Sequence, residues 1–167
     1  IDADGYFHTG DIGHQDDQGR LYITDRKKEL IVTSGGKKVA PQPIENLLKG
    51  DKYISQAVLI GDQRTFISAL IVPNFDSLKR WAGYKKLHFA SHAELIQDPM
   101  VLAKIGSRLE RVNEHLSNYE RVKKFVLLDH EMTLEGGELT PSLKVKRRVV
   151  NQMYADRIEA MYGEPKA

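Results

Sequence analysis

The sequence predicts a small mixed α+β domain, a few strands with helices packed on them. Three observations predict it. Ile54–Ile60 and Phe66–Val72 are strand-like apolar runs, and Gly61-Asp62-Gln63-Arg64 joins them as a hairpin. Leu102, Ile105, Leu109, Val112 and Leu116 recur at spacings of three and four, one face of a helix that Asp98-Pro99 opens. Pro41-Gln42-Pro43-Ile44-Glu45 starts another helix that runs to about Lys49 and stops at Gly50.

The remaining elements follow in order. Asp16-Asp17-Gln18-Gly19 is a turn signal, and Leu21-Tyr22-Ile23 after it reads as a short strand. Asp25 to Glu29 is a charged break before a second strand, Leu30-Ile31-Val32. Thr33-Ser34-Gly35-Gly36-Lys37 is a tight loop, because paired glycines reach backbone angles closed to other residues. Asn74 caps a helix reaching about Ala82. Lys123–Leu128 is a strand and Glu135–Glu138 a turn. After Lys144 a last helix buries Val149, Val150, Met153, Tyr154, Ile158 and Met161. There is no internal repeat and no low-complexity segment.

Composition bounds the function. Apolar residues are 41% of 167, enough for an ordinary core, and charged residues are 29%. A formal charge of +2, from 25 Lys and Arg against 23 Asp and Glu, is too weak a footprint for a nucleic-acid partner. With no cysteine, disulfides and thiolate chemistry are excluded, which fits a reducing compartment. No apolar run approaches the ~18–20 residues of a membrane span. The six histidines show no metal-ligand spacing, so no metal site is assigned. An opening Ile1 in place of methionine leads to the expectation of a piece of a longer polypeptide.

Three clusters carry candidate chemistry, and each has a plain alternative. In Tyr6-Phe7-His8-Thr9-Gly10-Asp11, a carboxylate after a Thr-Gly turn can accept hydrogen bonds from vicinal hydroxyls, or the segment is turn chemistry alone. In the run from Gly19 to Glu45, a charged junction between strands can serve as a hinge. Within it Arg26 can hold phosphate or ribose oxygens, and Ser34-Gly35-Gly36 lets a ligand approach the backbone. The alternative there is a hairpin with a solvated edge. In Leu139-Thr140-Pro141-Ser142-Leu143-Lys144-Val145-Lys146-Arg147-Arg148, a loop lysine can stabilise charge developing on phosphate and carboxylate oxygens, or the run is a solvated basic surface.

In this order the three clusters resemble the final third of the adenylate-forming superfamily, which includes acyl-CoA synthetases, luciferases and nonribosomal adenylation domains. YFHTGD, GRLYITDRKKELIVTSGGKKVAPQPIE and LTPSLKVKRR are most similar to long-chain fatty acid-CoA ligases, closely over residues 5–49 and 138–150. The resemblance implies the fold of that superfamily's mobile C-terminal domain. Residues 1–25 would be the end of the N-terminal domain up to the hinge, and 26–167 the lid.

It also implies a two-step ligase. A fatty acid and ATP, with Mg2+, give an acyl-adenylate and pyrophosphate; the thiol of CoA then displaces AMP. Asp11 and Arg26 match the ribose and phosphate contacts, Lys28 the hinge, and Gly35 and Gly36 the loop along the CoA path. Lys144 matches the adenylation lysine, with Lys146 as rival because Leu143 stands where many relatives carry glycine. The phosphate-binding loop and acyl pocket of such enzymes are absent from this chain, so it is expected to be inactive alone and partnered by an N-terminal domain. The full enzyme would be cytoplasmic, with peripheral membrane association left open. A non-catalytic binding module of the same fold, a nucleic-acid binder and another acyl- or aryl-CoA ligase are the alternatives.

Overall fold

The computed structural model describes residues 1–163, and the side chains of residues 24–26 lie outside the described set. The fold is the mixed α+β domain that the sequence predicts. Its centre is a three-stranded sheet of β5 (Ile54–Ile60), β6 (Ile67–Pro73) and β7 (Val122–Leu127), with β6 in the middle. β5 pairs antiparallel with β6, and β7 pairs parallel with it. Every residue of β6 is buried, so this strand reads as a near-continuous apolar run rather than an alternating one, interrupted by Ser68, whose hydroxyl pairs with that of Tyr162 at 2.7 Å.

Helices cover both faces of this sheet. On one lie α1 (Pro41–Lys49), α2 (Phe75–Tyr84) and α4 (Pro99–Asn113), which pack Leu48, Leu78 and Ile105 against Ala57, Leu59 and Ile71. On the other lie α5 (Arg147–Met153) and α6 (Ala155–Tyr162), which pack Val150, Ile158 and Met161 against Val58, Leu70 and Val72. A one-turn helix, α3 (His92–Leu95), sits between α2 and α4. Asn74 caps α2 by accepting the Ser77 amide at 3.0 Å, and Asp98 caps α4 by accepting the Met100 amide at 2.7 Å.

Two sequence expectations need adjustment. The buried stripe of α4 is Val101, Ile105, Leu109 and Asn113; Leu102 is 38% exposed, and Val112 is only partly buried. Asn113 breaks the apolar periodicity but belongs inside, because its amide exchanges hydrogen bonds with the backbone of Val122 at 2.9 and 3.0 Å. The last helix is two helices that break at Tyr154, and Met153 on the turn before is exposed.

Two small hairpins precede the core. β1 (Asp11–Gln15) pairs with β2 (Leu21–Arg26) across the Asp16–Gly19 turn. β1 escapes sequence reading because its side chains are largely exposed and no alternation marks a face. A 3-10 turn at Lys27–Glu29 then leads to β3 (Ile31–Val32), which pairs with β4 (Lys38–Val39).

Candidate functional site

A cleft of about 940 Å³ opens between the β1–β2 hairpin and the body of the domain. Asp11 and Ile23 line it from the hairpin, Gln42 and Glu45 from α1, and Leu143 and Lys144 from the loop before α5. The hairpin precedes the Lys27–Glu29 turn in the chain and the other walls follow it, so the cleft spans the segment that the sequence marks as a hinge.

Asp11 is placed by local chemistry. Gly10 has φ +80°, the left-handed region glycine enters freely, and Thr9 Oγ1 accepts the Asp11 amide at 3.1 Å. The Gly10 carbonyl accepts the Lys27 amide at 2.8 Å, which ties this turn to the hinge segment.

Lys144 sits on a short β-turn loop closed by a bridge between Leu139 and Val145. The Thr140 amide donates to the Lys144 carbonyl at 2.8 Å, and Thr140 Oγ1 accepts the Lys144 amide at 3.0 Å. Leu143 has φ +58°, a conformation that L side chains rarely adopt. Glycine is therefore the natural occupant of this position, and Leu143 keeps the glycine backbone without the residue. Lys144 is exposed, and its ammonium has no ion pair among the described residues. Lys146 is not among the residues lining the cleft; its amide donates to the Glu138 carbonyl at 2.7 Å at the start of α5.

Both ends of the lysine loop are anchored. At its exit, Arg147 Nη2 donates to Glu45 Oε1 at 2.7 Å, Nη1 to the Leu59 carbonyl at 3.2 Å, and Nε to Glu29 Oε2 at 3.3 Å. Glu45 Oε1 also accepts the Leu59 amide at 2.8 Å, so one buried carboxylate joins α1, β5 and α5. At the loop's entry, buried Glu138 accepts the Tyr154 hydroxyl at 3.1 Å and the Thr133 amide at 3.3 Å. Burial, then the bond to Glu138, pushes the Tyr154 phenol up to about 12. Beyond it, His130 bonds the Tyr154 hydroxyl at 3.0 Å and Asp129 at 2.9 Å, and that second bond holds the Asp129 carboxyl below its ordinary range.

Lys28, Gly35 and Gly36 are not among the residues that line the cleft. Lys28 is exposed on the 3-10 turn. Gly35 and Gly36 sit on the β3–β4 loop, where the Ser34 amide donates to the Arg64 carbonyl at 2.9 Å. Gly36 has φ +76°, whereas Gly35 keeps an ordinary φ. The Arg26 side chain lies outside the described residues. Among the described residues, no group of three His, Cys, Asp or Glu side chains is gathered to hold a metal ion, and no helix is long and apolar enough to cross a membrane.

Sequence reasoning missed Glu45 and Arg147 as partners. Their signals were present but faint: a glutamate in the first turns of a proline-opened helix, and one arginine of a basic run.

Comparison with known proteins shows the family and the fold. The model of the AMP-binding enzyme C-terminal domain family matches residues 28–166. The long-chain-fatty-acid–CoA ligase FadD15 of Mycobacterium tuberculosis is 44% identical over 163 residues, 97% of this chain and 27% of the relative. The adenylation domain of a carboxylate reductase from Mycobacterium chelonae superposes with a TM-score of 0.77 at 26% identity, over 98% of this chain and 24% of that one. A carboxylic acid reductase A domain from Segniliparus rugosus, in complex with AMP and a co-purified carboxylic acid, gives 0.74 at 26% identity, over 97% and 24%. The chain thus spans about a quarter of the length of these relatives. It belongs to the AMP-binding enzyme C-terminal domain family.

Proposed function

We propose, from that membership, that the chain is the mobile C-terminal portion of an AMP-forming long-chain fatty acid-CoA ligase, with residues 1–25 ending the preceding domain and the lid beginning at Arg26. The observation that carries the reading is the shared cleft, which faces Asp11 and Lys144 toward one space across the Lys27–Glu29 turn.

In the first half-reaction a carboxylate oxygen of the acid attacks the α-phosphorus of ATP and pyrophosphate leaves. Both reactants are anionic. The Lys144 ammonium, free of competing ion pairs among the described residues, offsets the charge that gathers as they approach. Asp11 takes the ribose hydroxyls, and Arg26 is assigned to the ribose and phosphate side. Magnesium would enter with the ATP phosphates, as part of that substrate, and would offset their charge; no residue of this chain is assigned to hold it. In the second half-reaction the sulfur of CoA attacks the acyl carbon, and AMP leaves with the carboxylate oxygen. Rotation at Lys28 withdraws Lys144 and brings the Gly35-Gly36 loop to the thiol's path. The partners are the preceding domain, fatty acid, ATP and CoA, and the compartment is the cytoplasm.

The test is a hybrid ligase in which this chain replaces the matching C-terminal quarter of the 44%-identical M. tuberculosis relative. The hybrid is expected to exchange pyrophosphate into ATP with palmitate and to form palmitoyl-CoA. Lys144→Ala is expected to abolish exchange yet still convert supplied palmitoyl-adenylate to thioester. The 167-residue chain alone is expected to form no thioester. A hybrid that folds but never activates palmitate, or one indifferent to Lys144→Ala, refutes the reading.

A further inference from the structure

We infer that Leu143 is a positioning residue for the adenylation half-reaction, packing its side chain on the preceding portion of the ligase only when Lys144 is delivered to the acid and ATP. The inference rests on the ligase reading above.

Two features of Leu143 are unfavourable in the chain as it stands. Its φ of +58° disfavours the loop conformer by roughly tenfold relative to glycine, from the crowding between Cβ and the neighbouring carbonyl. Its side chain is also 73% exposed and lines the cleft, so it gains little by burial here. Glycine would remove both penalties while keeping the turn. The loop is over-determined by other contacts: the Leu139–Val145 bridge, the two hydrogen bonds between Thr140 and Lys144, and the Leu143 amide to the Thr140 carbonyl at 2.8 Å. The backbone therefore does not need leucine, and most of the side chain is left unburied within this domain.

It points instead into the cleft, immediately before the lysine that works there. Across this cleft stands the β1–β2 hairpin, which the ligase reading assigns to the end of the preceding domain. The chain spans about a quarter of its relatives, so on that reading more of the preceding domain stands on the same side. An apolar side chain buried there in one orientation and exposed in the other makes the adenylation orientation the favoured one. Strain at φ +58° is present in both orientations and cancels from the difference, whereas burial of the leucine counts only in one. A largely buried leucine favours that orientation about tenfold or more.

The hybrid ligase carries the test, with Leu143→Gly, Leu143→Ala and Leu143→Met. For Leu143→Gly the expected result is a chain at least as heat-stable as the original and a fall of about tenfold in kcat for pyrophosphate exchange. KM for palmitate and ATP should be unchanged, as should the rate from supplied palmitoyl-adenylate. Leu143→Met restores exchange and Leu143→Ala does not. Unchanged exchange in Leu143→Gly shows a merely structural residue and overturns the inference. A rise in KM with kcat preserved shows contact with substrate and overturns it too. Failure of the unsubstituted hybrid to exchange pyrophosphate is a separate result that sinks the ligase reading itself.

Discussion

Replacing Arg147 by glutamine strikes the contact that ties the lysine loop to the rest of the domain. Its guanidinium serves three acceptors, Glu45, Glu29 and the Leu59 carbonyl, at 2.7, 3.3 and 3.2 Å. These are not equal. The Glu45 side chain is 8% exposed and that of Glu29 is 49% exposed, so the Glu29 pair is screened by water and contributes little. After substitution the Leu59 amide, at 2.8 Å, is left to satisfy the buried charge of Glu45. Stranding one member of a buried pair costs about 3–5 kcal/mol, and the 22% exposure of the Arg147 side chain lets water recover part of it. The expected loss is about 2–3 kcal/mol, which for a domain of this size is a fall in Tm of about 5–10 °C.

Thermal melts and urea titrations followed by circular dichroism measure this loss, with m unchanged. A double-mutant cycle with Glu45→Gln isolates the pair. Each single substitution strands a partner and the double strands neither, so the double should cost clearly less than the sum. A loss under about 0.5 kcal/mol for Arg147→Gln, or strict additivity in the cycle, would refute the idea that this contact anchors the loop.

Further outcomes follow from the same geometry. Gly36→Ala should cost about 1–2 kcal/mol in urea titration, because φ is +76° there, while Gly35→Ala, which meets only Thr33 Oγ1 at 4.0 Å, should be close to neutral. Gly61→Ala would place a Cβ 2.5 Å from Ile67 Cδ1 and 3.2 Å from Ile31 Cγ2, so it should lower the urea midpoint by an amount equivalent to about 1–3 kcal/mol. Tyr154→Phe removes a hydrogen bond from buried Glu138 and should cost about 1–3 kcal/mol. Burial holds the Tyr154 phenol near 12 when folded, above its ordinary value of 10.0, so the folded state holds the proton more tightly. Its stabilising contribution is complete below pH 10 and is lost as pH rises toward 12. Urea midpoints measured from pH 9 to about 11.5 should show that loss in the native sequence, and Tyr154→Phe should remove this part of the slope.

The sheet and its covering helices were legible because their signals are local and strong. A strand buried on both faces must be apolar almost throughout, and β6 is, with Ser68 satisfied by the Tyr162 hydroxyl; a helix opened by Asp98-Pro99 must declare itself, and α4 does. The stripe of α4 was misread by one position because Asn113 is polar yet buried, satisfied by a strand that only the folded chain brings near. β1 was illegible for the opposite reason: almost nothing in it is buried, so no pattern selects a face. Of the candidate site, Asp11 and Lys144 stood out as residue types after tight turns. That they face one cleft depends on how the hairpin before Lys27 lies against the body, which no spacing in the sequence encodes.

The basic run Lys144-Val145-Lys146-Arg147-Arg148 shows best how composition and geometry part company. Read alone it is a solvated surface with interchangeable charges. In the fold its cations divide. Lys144 faces the cleft with no ion pair among the described residues, while Arg147 turns inward to a buried carboxylate. The choice of residue suits each task. A flexible ammonium can move toward a developing charge, and a planar guanidinium can hold several oxygens at once. Substitution at either position should therefore depress adenylation in the hybrid ligase, but for different reasons that one extra measurement separates. Lys144→Ala should leave Tm where it was, whereas Arg147→Lys should keep the charge, lose the multiple hydrogen bonds, and lower Tm along with the rate. If instead both substitutions left stability untouched, Arg147 would be one more surface cation, and the anchoring of the loop would rest on Glu138 and the Thr140 turn alone.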